Sequence, residues 1–243
     1  MRTMRSIGLG LLFGIGALLA LVFVALPIFL RSLFRRARSF HPSGTVCRAE
    51  ITALDDVVGP RLAGSARVRL SSATADENSP SPSILGMAIK LGADQDLAVA
   101  TFESFSKAAD GTKHTDVADY LGNQYASVAP WRARGLGVIW LRAIPDPAAR
   151  TSKTGTRVER LDADIAAGRA KFILEAREAP GPDGAVRARI AELRLIERLA
   201  DDDPKFQISM YRTGRGIVPT GFRNGIRSIV YPVSQFARGL RGG

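Results

Sequence analysis

Leu85-Gly86-Met87-Ala88-Ile89-Lys90-Leu91 and, four residues further on, Asp96-Leu97-Ala98-Val99-Ala100-Thr101-Phe102 read as two short strands joined by a turn that carries Gly92 and Asp94. Upstream, Ala66-Arg67-Val68-Arg69-Leu70-Ser71-Ser72 alternates apolar and polar side chains, the pattern of a strand with one buried face. Downstream, Gly137-Val138-Ile139-Trp140-Leu141-Arg142-Ala143 and Ala170-Lys171-Phe172-Ile173-Leu174-Glu175-Ala176-Arg177 are further strands. The turn Pro180-Gly181-Pro182-Asp183-Gly184 then leads into residues 188–196, where apolar and charged residues alternate. Short strands with turn signals between them predict an antiparallel sheet or barrel, so the fold class is mainly β (α+β), with a few helices. Residues 108–125 read as helix plus loop.

One of those helices closes the chain. Ile226, Ile229, Val230, Val233, Phe236, Ala237 and Leu240 recur at spacings of three and four and form an apolar stripe that packs on a core. Arg227 and Tyr231, four apart on the other side, are neighbours, so the guanidinium reaches the phenol oxygen. Pro232 removes a helix hydrogen bond directly after Tyr231, and a kink or a helix start is expected there.

At the other end, Ile7 to Leu30 holds no charge and is long enough to cross a bilayer as a helix. It ends in Pro27-Ile28-Phe29-Leu30-Arg31 without a small-x-small cleavage pattern, which favours an anchor over a cleaved signal. Arg31, Arg35, Arg36 and Arg38 outnumber Arg2 and Arg5, and the positive-inside bias places the C-terminal domain in the cytoplasm of a single-pass protein. The division that follows is an anchor over 1–38, with its transmembrane helix at 7–30, and one domain over 39–243.

The net charge is +11, and six of the cations lie in residues 1–38, which hold no acid. The basicity therefore points to anionic lipid headgroups and a bilayer as partner. Nucleic acid is excluded as a partner because no basic stripe carries interleaved aromatics. Cys47 is the only cysteine, which rules out an internal disulfide or a CxxC metal knuckle, and it reads as a packed thiol. No GxSxG, HExxH, Walker or Rossmann pattern supports a hydrolase or a nucleotide-binding protein.

The order of the pieces resembles the catalase-like superfamily of haem proteins, in particular its short, divergent members. Arg38-Ser39-Phe40-His41-Pro42-Ser43-Gly44 is similar to the family's Arg-x-x-His-x-x-Gly, and Ala66 to Ser71 to its Val-Arg-Phe-Ser strand. Leu85 to Lys90 resembles its Arg-Gly-Met-Ala-Ile-Lys, and Tyr125-Ala126-Ser127-Val128-Ala129-Pro130-Trp131 a Tyr-x-Ser-x-x-Pro-aromatic element. Arg227-Ser228-Ile229-Val230-Tyr231 resembles the closing Arg-x-x-x-Tyr.

The resemblance implies a catalase-like antiparallel β-barrel that binds haem. Tyr231 would be the iron ligand and Arg227 its hydrogen-bond partner, holding it as the phenolate. His41 would be the distal acid/base with Ser71 bonded to it, and Arg38 and Arg69 would pair with the haem propionates. The implied chemistry is cleavage of hydrogen peroxide or of organic and lipid hydroperoxides, with a neutral imidazole moving the proton. Residues 96–102 offer no Asn where the enzymes carry one, and the chain is short. Those departures keep a rival in view: a haemless catalase-shaped interaction module tethered in a membrane protein complex.

Overall fold

The computed structural model describes residues 2–35, 41–73, 78–102, 108–149, 151–181, 184–199 and 206–240. Its strands, in chain order, are Gly44–Ala53 (β1), Gly64–Ser72 (β2), Leu85–Leu91 (β3), Gln95–Ala100 (β4), Tyr125–Ala126 (β5), Trp131–Ala133 (β6), Gly137–Pro145 (β7), Lys171–Arg177 (β8), Val186–Leu199 (β9) and Ile217–Pro219 (β10). Eight of them close an antiparallel barrel in the order β1-β2-β3-β4-β5-β7-β8-β9, with β9 returning onto β1. The first residues of β7 pair instead with β6, which carries β10 on its far side.

Period-two alternation decides which side chains fill the barrel. Val68 and Leu70 of β2, Met87 and Ile89 of β3, and Leu97 and Val99 of β4 lie opposite one another in register and are buried together. Cys47 on β1 and Trp131 on β6 belong to the same buried set, as packed residues. The opposite positions of β2 to β4 make an outer wall: Ser71 faces Gly86, which faces Ala100, and Arg69 faces Ala88, which faces Ala98.

The helices are Arg2–Leu19 (α1), Ala25–Arg35 (α2), Gly59–Leu62 (α3), Ala108–His114 (α4), Arg157–Ala166 (α5) and Gly221–Gly239 (α6), and a π-helical turn, Ala20–Val24, joins α1 to α2. Within Ile7–Leu33 an 18-residue window reaches a mean hydropathy of 2.7, and the stretch is long and apolar enough to span a membrane. α5 begins with a capping box: Thr156 Oγ1 accepts from the Glu159 amide, and the Glu159 carboxylate accepts from the Thr156 amide. The bonds that the carboxylate accepts from the Thr156 amide and the Thr156 hydroxyl hold the Glu159 carboxyl below its usual range.

α6 is longer than the expectation at Pro232 allowed. It runs unbroken from Gly221 through Pro232 to Gly239. The proline sits on the exposed side, and the packing of α6 on α1, α2 and the barrel loops holds the helix through the missing hydrogen bond.

The segment before α6 is fastened to the barrel by two buried polar residues at the start of β4. Gln95 Nε2 donates to the carbonyls of Asp96, Arg212 and Ile217, and Asp96 accepts from the Ser209 amide at 2.7 Å and from Arg212 at 3.0 Å. Burial pushes the Asp96 carboxyl up, against those two bonds and the nearby Lys90; burial likewise pushes the Lys90 ammonium down.

Candidate functional site

His41 stands just before β1 and is the one non-glycine residue with a left-handed backbone among those described, at φ 56°. That conformation is costly for a residue with a Cβ and persists only where the surroundings hold it. Three ties do so. The His41 amide donates to the Ala73 carbonyl at 3.2 Å, Arg69 Nη2 donates to the His41 carbonyl at 3.0 Å, and Ser71 Oγ lies 3.0 Å from His41 Nδ1. Ser71 and Arg69 both belong to the outer wall of β2, so strand alternation aims the hydroxyl and the guanidinium at the same turn.

The floor beneath the imidazole is Gly86. A Cβ there would fall 2.6 Å from His41 Cε1, so the ring rests on bare backbone that only glycine supplies. Ala88, Ala98 and Ala100 continue this wall with small side chains. The strand β4 thus presents methyl groups to this wall.

A second candidate group lies on α6. Arg227 and Tyr231 are adjacent one turn apart, with the guanidinium carbon 6.0 Å from the centre of the phenol ring. Tyr231 packs against the buried apolar cluster of the barrel. Arg227 Nη1 is buried without a hydrogen-bond partner, and a buried donor left in that state is uncommon.

The structure therefore brings His41 together with Ser71 and Arg69 on the barrel wall, and Arg227 together with Tyr231 on the helix. Arg38 lies outside the described residues. Gly86 is the site residue whose role the sequence reading missed, although a glycine inside a strand pattern is the known signal of close approach. His114 ends α4 and is exposed.

The donor set fits the haem that the resemblance implies in one specific respect. Arg227 Nη1, a buried N–H without an acceptor, lies one helix turn from Tyr231, and an anionic oxygen on a bound group would satisfy it. Among the described residues no three His, Cys, Asp or Glu side chains gather as a metal-binding group. No protein-family model matches the chain, and no curated protein matches it.

Proposed function

We propose that this is a membrane-attached, catalase-like haem protein that acts on hydrogen peroxide or on organic and lipid hydroperoxides, its barrel on the cytoplasmic side. The observation that carries the reading is the fixed imidazole: Ser71 Oγ at 3.0 Å from His41 Nδ1, over the bare backbone of Gly86. A hydroxyl on Nδ1 sets the ring's orientation and leaves proton exchange with a substrate to Nε2.

In this reading Tyr231 holds the iron and Arg227 supports its oxygen, while Arg69, together with Arg38, meets the propionates. Haem, when bound, supplies the redox-active iron that O–O cleavage requires. The chain supplies the proton path. His41 Nε2 would take the proton from the terminal oxygen of the hydroperoxide, hold it, and give it back to the inner oxygen. Gly86, Ala88, Ala98 and Ala100 keep their part of the wall flat and apolar, with Ser71 and Arg69 as its polar neighbours on β2.

The absorbance spectrum of the full-length protein, purified in mild detergent from haem-supplemented cells beside Tyr231→Phe, tests the reading. A Soret band that is shifted or lost in the variant is the expected result. A folded protein with no Soret band overturns it.

The same alanine wall supports a second reading, a haemless interaction module in a membrane complex, because Ala98 and Ala100 offer nothing polar to a bound peroxide. A stoichiometric partner recovered from detergent extract with iron-free protein is the result that reading expects.

A further inference from the structure

We infer that the N-terminal helix lies in the plane of the membrane, seated on one leaflet, instead of crossing the bilayer. The inference rests on the reading of this helix as the chain's membrane element. Its inner face, which includes Gly16, Ala20, Ile28 and Ser32, is buried, and both α1 and α2 pack along α6. Gly16 approaches the Phe222 carbonyl and Gly225 approaches the Phe13 carbonyl so closely that a Cβ at either would collide with backbone. Ser32 and Ser234 bond at 2.8 Å further along.

α6 is in turn fastened to the barrel. Arg223 Nη1 donates to the Val128 carbonyl, Asn224 Nδ2 to the Pro130 carbonyl and Gln235 Nε2 to the Ile208 carbonyl. A helix crossing the bilayer in this packing would draw Arg223, Asn224, Arg227 and Gln235, with the loops that bind them, to the depth of the acyl chains. Charged and amide groups and irregular backbone are strongly disfavoured there.

The charge distribution agrees. Arg2 and Arg5 precede the apolar run, Arg31, Arg35, Arg36 and Arg38 follow it, and residues 1–38 hold no acid. A crossing helix would carry one of these groups through the membrane. A helix in the plane keeps both among the anionic headgroups of a single leaflet.

The outer face supplies the contact. Ile7, Leu11, Ile15, Leu18, Val22 and Leu26 recur every three or four residues and are between 41% and 69% exposed. Phe236, 64% exposed and tilted against Phe29 with ring centres 6.5 Å apart, extends the same apolar surface onto α6. Its occupant is the acyl layer of one anionic leaflet.

The test uses the full-length protein with Cys47→Ala and single cysteines at Leu11→Cys, Leu21→Cys or Leu30→Cys, each labelled with a nitrobenzoxadiazole dye. The proteins are reconstituted in phosphatidylcholine–phosphatidylglycerol vesicles that carry nitroxide lipids at graded depths. The expected result is one shared shallow depth at all three positions, and a Thr3→Cys variant open to a membrane-impermeant thiol reagent from the side that carries the barrel. Leu21→Cys at the bilayer centre, or Thr3→Cys shielded on that side, overturns the proposal in favour of a spanning helix. No quenching at any of the three positions overturns it by a different route, because the membrane reading itself then falls.

Discussion

Ser32 and Ser234, 202 residues apart in the chain, share a buried hydroxyl–hydroxyl hydrogen bond of 2.8 Å between α2 and α6. Together with the contacts at Gly16 and Gly225, it makes the first helix part of the folded domain along its length.

Gly225→Leu is expected to separate the two helices, since the new side chain would occupy the place of the Phe13 carbonyl and backbone cannot yield as a side chain can. The cost of such overpacking is about 1–3 kcal/mol. Limited proteolysis should cut within residues 1–35 faster in this variant. Gly8→Leu, where a Cβ meets nothing within 4 Å, is the control that should leave the pattern unchanged.

Ser71→Ala removes the bond to His41 Nδ1 without touching α6. Loss of a partner that orients a functional imidazole typically costs about 10–100-fold. Peroxide turnover should fall by that order while the Soret band stays in place, whereas Tyr231→Phe should change the band itself. Gly86→Val, which pushes the ring off its floor, should cost at least as much turnover as Ser71→Ala.

Thr156→Ala should destabilise the domain by about 1 kcal/mol through the lost cap of α5, measured as a shift in the urea midpoint. The pH dependence follows from Glu159, whose folded pKa is lowered by its bonds from Thr156. A carboxyl held low in the folded state contributes stability that is present above its unfolded value of 4.5 and lost as the pH falls through the folded one. Glu159→Gln should therefore flatten the decline of stability below pH 4.5, and an unchanged slope would contradict this.

Gln95→Leu leaves the buried carbonyl of Ile217 without its donor, while the Arg212 carbonyl keeps its bond from the Asp96 amide. An unsatisfied buried group costs roughly 1–3 kcal/mol, so a loss of that order is expected. Thermal unfolding followed by circular dichroism measures it.

The long strands were legible because their alternation is strong: Val68 and Leu70 against Arg67 and Arg69 define both faces of β2 before any neighbour is known. β5, β6 and β10 were not legible, since two or three residues are too few for a period and pairing with β7 is what makes them strands. α5 was missed although Thr156 and Glu159 spell a capping box, because the segment is polar and its apolar face rests on a few residues such as Leu161. At the site, the four-residue spacing predicted the Arg227–Tyr231 neighbourhood. The left-handed turn at His41 is set by the Ala73, Arg69 and Ser71 contacts, which come from a strand 30 residues away and leave no local trace. The docking of α1 on α6 was hidden for a simpler reason: an apolar run looks the same whether protein or lipid will cover it.

Residues near position 16 wait for residues near position 225 to be made. At a synthesis rate of roughly 5–20 residues per second, about 200 residues take on the order of 10–40 s. Throughout that interval the growing chain carries its most apolar segment without its protein partner. The packing is complete only when α6 winds onto a helix made about 200 residues earlier.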